Sequence, residues 1–155
     1  EAMNKRDYPS FGHWIDQGAT TTWEQWNGEN SRNHPMFGGS LTWFYRKLAG
    51  LNADPSQPGY RHIVFRPQPV SQIDWAKYAT ATPYGQASVD WSKRGGRFTM
   101  TVGCTATVCV PDAKAPSAVR TDGTGKKDGN IVYNGMKDDY AEYTVRSGKY
   151  TFTVE

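Results

Sequence analysis

Two different periods of hydrophobic and polar positions divide the chain. In its first third, Phe37, Leu41, Phe44, Tyr45 and Leu48 recur mostly at intervals of three and four, the apolar stripe of a helix. Pro35 suits the first turn of that helix, with Asn33 or His34 as its cap, and Gly50 followed by Pro55 marks its end. Gly38 and Gly39 inside the helix cost it stability and predict close packing against a neighbouring helix. A shorter helical turn is predicted over residues 11–17, closed by Gly18. Two such pieces cannot enclose a core, so the stripe calls for partner helices that these residues do not supply. Left uncovered, it becomes an exposed apolar patch and predicts association with a larger partner or with a second copy.

Pro55-Ser56-Gln57-Pro58-Gly59 breaks both helix and strand, and beyond it the period changes to two. Phe98, Met100 and Val102 alternate with threonines, as do Tyr150, Phe152 and Val154, while Ala106, Val108 and Val110 alternate with Thr105, Thr107 and Cys109. Further strands are predicted at 61–66, 75–82, 86–92 and 141–146, separated by Pro83, Gly95-Gly96, Pro111 and Gly148. Ala87, Val89 and Trp91 share one strand face, which predicts a buried Trp91. Many short alternating strands between such turns describe an antiparallel β-sandwich over 59–155, preceded by a helical region over 1–58. The fold class is therefore α+β by segment.

Composition narrows the function classes. Aromatic residues reach 14%, which suits either sugar stacking or an aromatic β core. Residues 1–58 carry net charge −1 and residues 59–155 carry +4, without the basic stripe that a phosphate backbone requires. Lys126-Lys127 is followed at once by Asp128 and reads as a loop tip, so no nucleic-acid partner is expected. No apolar run approaches the roughly 20 residues of a membrane span. Glu1-Ala2-Met3 resembles a cut end, so the compartment stays open, with a secreted or periplasmic location the weak preference. Cys104 and Cys109, on opposite faces of a straight strand and about 16 Å apart, read as free thiols. His13 and His62 lack the spacing of a metal site, and no nucleotide fingerprint occurs, so neither metal nor cofactor is expected.

Chemistry concentrates in Gly18-Ala19-Thr20-Thr21-Thr22-Trp23-Glu24-Gln25-Trp26-Asn27-Gly28. A carboxylate between two tryptophans is an environment in which a glycosidase holds a catalytic acid or base, because aromatic walls desolvate the carboxylate and bind the sugar ring. The competing reading is an ordinary surface glutamate beside core aromatics. Asn33-His34-Pro35 offers a histidine at a helix start, able to bind a sugar hydroxyl or simply to cap the helix.

These strings, with Tyr8-Pro9-Ser10-Phe11-Gly12-His13-Trp14-Ile15, Asn33-His34-Pro35-Met36-Phe37-Gly38, Trp43-Phe44-Tyr45 and Leu48-Ala49-Gly50, resemble the late barrel segment of α-L-rhamnosidases of glycoside hydrolase family 78. The likeness continues through Gly59-Tyr60, Arg66-Pro67-Gln68-Pro69, Tyr84-Gly85 and Trp91 to Ser147-Gly148-Lys149-Tyr150-Thr151-Phe152. It implies the end of an (α/α)6 barrel over 1–58 and the family's C-terminal β-sandwich over 59–155. It also implies inverting hydrolysis of terminal α-L-rhamnosyl linkages, with Glu24 as general base and His34, Trp23 and Trp26 binding substrate. Asp7, Asp16 and Glu29 do not stand in the motif of the general acid, which the resemblance places outside this chain. The expected partners are therefore a rhamnose-containing glycoside and the rest of the barrel, and the chain alone is expected to be inactive. The alternative is a carbohydrate-binding or purely structural sandwich, the former using Trp75, Tyr84 or Trp91 for stacking.

Overall fold

The computed structural model describes residues 5–124 and 129–155, so the readings of Glu1-Ala2-Met3 and Lys126-Lys127 lie outside the described residues. The chain forms two compact units, Glu1–Thr42 and Trp43–Glu155, dividing earlier than the Pro/Gly-rich break.

Helix α1, Phe11–Asp16, opens the first unit. Ser10 caps it, its Oγ accepting the His13 N–H at 3.0 Å and donating to the Lys5 carbonyl at 2.7 Å. Gly12 is required here, since a Cβ at that position would stand 2.2 Å from the Lys5 carbonyl oxygen. Gly18, at φ +80°, then turns the chain out of the helix as a left-handed residue. A loop over 19–34 follows, leading into a second helical segment.

That segment begins where the stripe predicts, with His34 as its cap, but its winding changes along its length. Pro35–Ser40 is wound as a 3-10 helix, Leu41–Trp43 completes a short α turn, and Phe44–Leu48 opens into a π turn. The Ala49 N–H donates to the Phe44 carbonyl at 2.8 Å, the five-residue spacing of that looser winding. Gly38 and Gly39 hold α geometry weakly, and their would-be Cβ positions meet nothing within 4 Å among the described residues. The stripe is also shared out rather than continuous. Phe37 joins an aromatic cluster of the first unit, Leu48 is buried in the second, and Leu41, Trp43 and Tyr45 stay exposed.

The second unit is a sandwich of two five-stranded sheets. One contains β1 (Leu51–Ala53), β2 (Ile63–Phe65), β6 (Ala106–Val110), β9 (Tyr140–Val145) and β8 (Ile131–Lys137), in the order β1-β2-β6-β9-β8. The other contains β3 (Trp75–Thr82), β4 (Gly85–Arg94), β5 (Arg97–Gly103), β10 (Lys149–Val154) and β7 (Val119–Thr124), in the order β3-β4-β5-β10-β7. Pairing is antiparallel except between β2 and β6, which run parallel. The alternating positions behave as their period demands. Phe98, Met100 and Val102 of β5 and Tyr150, Phe152 and Val154 of β10 bury one face, and Val108, Val110, Ala141, Tyr143 and Val145 of the other sheet close over it. Trp91 is completely buried among them, its Nε1–H donating to the Leu48 carbonyl at 2.8 Å. That bond ties the last helical turn to the sandwich within this unit. Cys109 is buried, Cys104 is partly buried, and both are free thiols.

Candidate functional site

The loop over 19–34 has no repeating pattern of its own, so side chains and a few backbone bonds must hold it. Its floor is aromatic. Trp14 packs on Trp26 at 4.4 Å between ring centroids, on Phe37 at 5.4 Å and on Trp23 at 5.8 Å, while Phe11 meets both Trp14 and Trp26 edge-on. The Trp14 Nε1–H donates to the Trp26 carbonyl at 3.0 Å, which satisfies the indole and pins the loop to α1.

Above this floor the two arms of the loop run side by side. The His34 N–H donates to the Thr22 carbonyl at 2.8 Å and the Thr22 hydroxyl donates to the His34 carbonyl at 2.5 Å. Thr21 donates to the Arg32 carbonyl. The Glu24 N–H donates to the Ser31 carbonyl at 2.8 Å. Gly28 makes the turn at φ +77°, and a Cβ there would stand 2.7 Å from the Trp23 ring. Arg32 closes the turn by donating from Nε to the Gly28 carbonyl at 3.1 Å, with its guanidinium 4.7 Å over Trp23.

This scaffold orients the Glu24 carboxylate. Its Oε2 accepts the Ser31 N–H at 3.2 Å, so one backbone–backbone bond and one backbone–carboxylate bond join the two residues in opposite directions. Oε1 has no hydrogen-bond partner among the described residues, and the side chain is partly buried. One oxygen is thus anchored while the other is open to a water or a substrate hydroxyl. His34, also partly buried, accepts the Met36 N–H on Nδ1 at 3.3 Å. An accepting Nδ1 leaves the ring proton on Nε2, which has no partner among the described residues and can donate to a ligand.

The tryptophans take different places. Trp23 is buried inside the unit beneath Arg32, whereas Trp26 is only partly buried and keeps part of its ring surface accessible. Asp16 pairs with Arg6, and Glu29 is exposed. The sequence reading did not single out Ser31 or Arg32. Ser31 acts through its backbone and Arg32 largely through its guanidinium, across a loop whose register no local pattern encodes. In the sandwich, Trp91 belongs to the core, while Trp75 and Tyr84 are exposed. Among the described residues no three His, Cys, Asp or Glu side chains gather as metal ligands, and no helix is long and apolar enough to cross a membrane.

Two family models match the chain in succession: the six-hairpin glycosidase domain of bacterial α-L-rhamnosidases over residues 1–48, and the C-terminal domain of the same enzymes over 50–125. An α-L-rhamnosidase of Streptomyces avermitilis is 32% identical over 98% of this chain, and one of an Alteromonas species is 34% identical over 66%. The chain spans only 15% and 12% of those proteins. The crystal structure of the Streptomyces avermitilis enzyme complexed with L-rhamnose superposes with a TM-score of 0.84 at 31% identity, covering 99% of this chain and 16% of that one. The enzyme from Dictyoglumus thermophilum gives 0.79 at 34% identity, covering 99% and 18%.

Proposed function

Because the chain belongs to the bacterial α-L-rhamnosidase family, we propose that it supplies the general base for inverting hydrolysis of terminal α-L-rhamnosyl linkages, as part of a larger glycosidase. The base is Glu24. The observation that carries this reading is the asymmetric anchoring of its carboxylate: Oε2 is held by the Ser31 N–H while Oε1 is open. A carboxylate so held keeps its direction and still has an oxygen for a water proton. Glu24 takes that proton as the water attacks the anomeric carbon from the face opposite the departing oxygen. A protonated carboxyl on the other face delivers a proton to the leaving group, about 6.5–9.5 Å from the base to admit the water.

The family resemblance puts that acid on barrel residues outside this chain; Asp16 is engaged by Arg6, and Asp7 and Glu29 are exposed. The His34 Nε2–H donates to a hydroxyl of the rhamnose ring, and the accessible part of Trp26 packs on its apolar face. Trp23 acts from beneath, as the surface that fixes Arg32 and with it the Gly28 turn. The reading predicts that the pure chain releases no nitrophenol from 4-nitrophenyl α-L-rhamnoside. It also predicts that Glu24→Gln in the enzyme with its whole barrel lowers kcat by about 10²–10⁴-fold, the range of a positioned acid or base, with KM little changed. Activity of the chain alone, or a Glu24→Gln enzyme within a few-fold of its parent, refutes the assignment.

A further inference from the structure

One end of the sandwich carries a cleft of about 620 Å³, lined entirely by residues of the second unit. Four turns converge there: the approach to β2, the β3–β4 hairpin, the β5–β6 turn and the β9–β10 turn. Its chemistry is one-sided. Arg61 and Lys149 line it, and among the described residues no Asp or Glu does. Two aromatic rings stand at it, Tyr84 at 63% exposure and Tyr60 at 36%, and the polar side chains of Gln86 and Ser88 also line it.

Arg61 is held in a useful way. Its Nε–H donates to the Tyr84 hydroxyl at 3.1 Å, and the described residues take up none of the guanidinium's other donors. The outer fork, two parallel N–H groups, is therefore steadied and left open, the geometry that receives a carboxylate bidentately. Lys149 likewise forms no ion pair among the described residues. Tyr60, beside Arg61, is a non-glycine residue at φ +64°. Backbone in that region is disfavoured for a side chain of its size, and such residues cluster at ligand-binding sites.

Exposed tyrosine rings bind the C–H faces of pyranoses, hydroxyl and amide groups bind their edges, and paired cations without a neighbouring carboxylate select an anion. We propose that this cleft is a second, non-catalytic saccharide site, taking an oligosaccharide that carries a carboxylate, that is, one containing a uronic acid. The inference does not rest on the role of Glu24.

The test is an amide NMR titration of the 155-residue chain with a trimer of galacturonic acid and, in parallel, with its methyl ester, which has the same rings and no charge. Saturable shifts confined to residues 60–63, 82–88, 103–105 and 147–149 are expected, with the ester binding about tenfold more weakly, as loss of a charge-assisted pair implies. Arg61→Gln and Lys149→Gln, both at the surface, are each expected to weaken the acidic trimer several-fold and to leave the ester unaffected. An acidic trimer that causes no saturable shifts, or shifts spread equally to Arg97 and Arg120 on the opposite end of β5 and β7, overturns the site. Equal affinity for trimer and ester, or variants that bind as the parent does, overturns the carboxylate class.

Discussion

Replacing Trp91 separates a packing role from a sugar-stacking role for the one tryptophan at the centre of the sandwich. The ring is completely buried, stacked 5.9 Å from Phe98, and its Nε1–H reaches the Leu48 carbonyl. Truncating a buried aromatic side chain to alanine costs about 3–5 kcal/mol through lost transfer energy and the cavity left behind. Stripping a buried carbonyl of its donor adds about 1–3 kcal/mol. Trp91→Ala therefore costs about 4–8 kcal/mol of the roughly 5–15 kcal/mol that holds a domain folded, and its strand signal is expected to be lost at a far lower urea concentration than the parent's. Trp91→Phe is the quantitative probe. It retains most of the ring but not the indole N–H, so a loss of about 2–3 kcal/mol is expected from the carbonyl and a small cavity. Urea unfolding followed at the β-strand circular dichroism band measures it, with the slope unchanged and the midpoint lowered. A Trp91→Phe unfolding free energy within about 0.5 kcal/mol of the parent's refutes the coupling of Trp91 to Leu48. Saccharide binding that falls while the midpoint holds refutes the packing role itself.

Two further predictions concern the loop and the thiols. Gly28→Ala places a methyl against the Trp23 ring at a backbone angle that costs an ordinary residue about 1–2 kcal/mol, so the loop loses its turn; red-shifted tryptophan emission with an intact sandwich spectrum is expected, and an unchanged emission maximum contradicts it. Burial pushes the Cys104 and Cys109 thiols up to about 11, with Glu142 adding to the rise at Cys109. In the folded chain they therefore hold their protons at pH values where the unfolded chain has lost them. The unfolded state binds fewer protons there, so stability is expected to fall as pH rises from about 9 to about 11 and to be fully present below that window. Urea midpoints across pH 8–11 check the direction, and Cys104→Ser with Cys109→Ala should flatten the slope. A slope identical in that double variant assigns the effect to other groups.

The positions of most strands were legible because burial on one face of a strand repeats every two residues, and the segments at 98–102, 106–110 and 150–154 show that repeat plainly. Strands β1, β7 and β8 were not. β1 has three residues, β7 reads Val-Arg-Thr-Asp-Gly-Thr, and β8 is exposed along most of its length with a register shift at Tyr133/Gly135. Edge strands bury little, so little selects an apolar period in them. The helix starting at Pro35 was legible from its cap and stripe. Its changes of winding were not, because glycine and local packing decide them.

By itself the sequence determined which residues could be buried, where the chain must turn, and the family to which its motifs belong. Those are properties of single residues and of short-range spacing. Tertiary structure alone decided the order of strands within each sheet, the parallel meeting of β2 and β6, and the bonding of Ser31 to both ends of Glu24. It also decided the gathering of Tyr60, Arg61, Tyr84 and Lys149 at one end of the sandwich. Each of these joins residues whose separation along the chain carries no periodic signal. Their proximity follows from how sheets pair and loops close once the core has formed, and no local preference records that outcome.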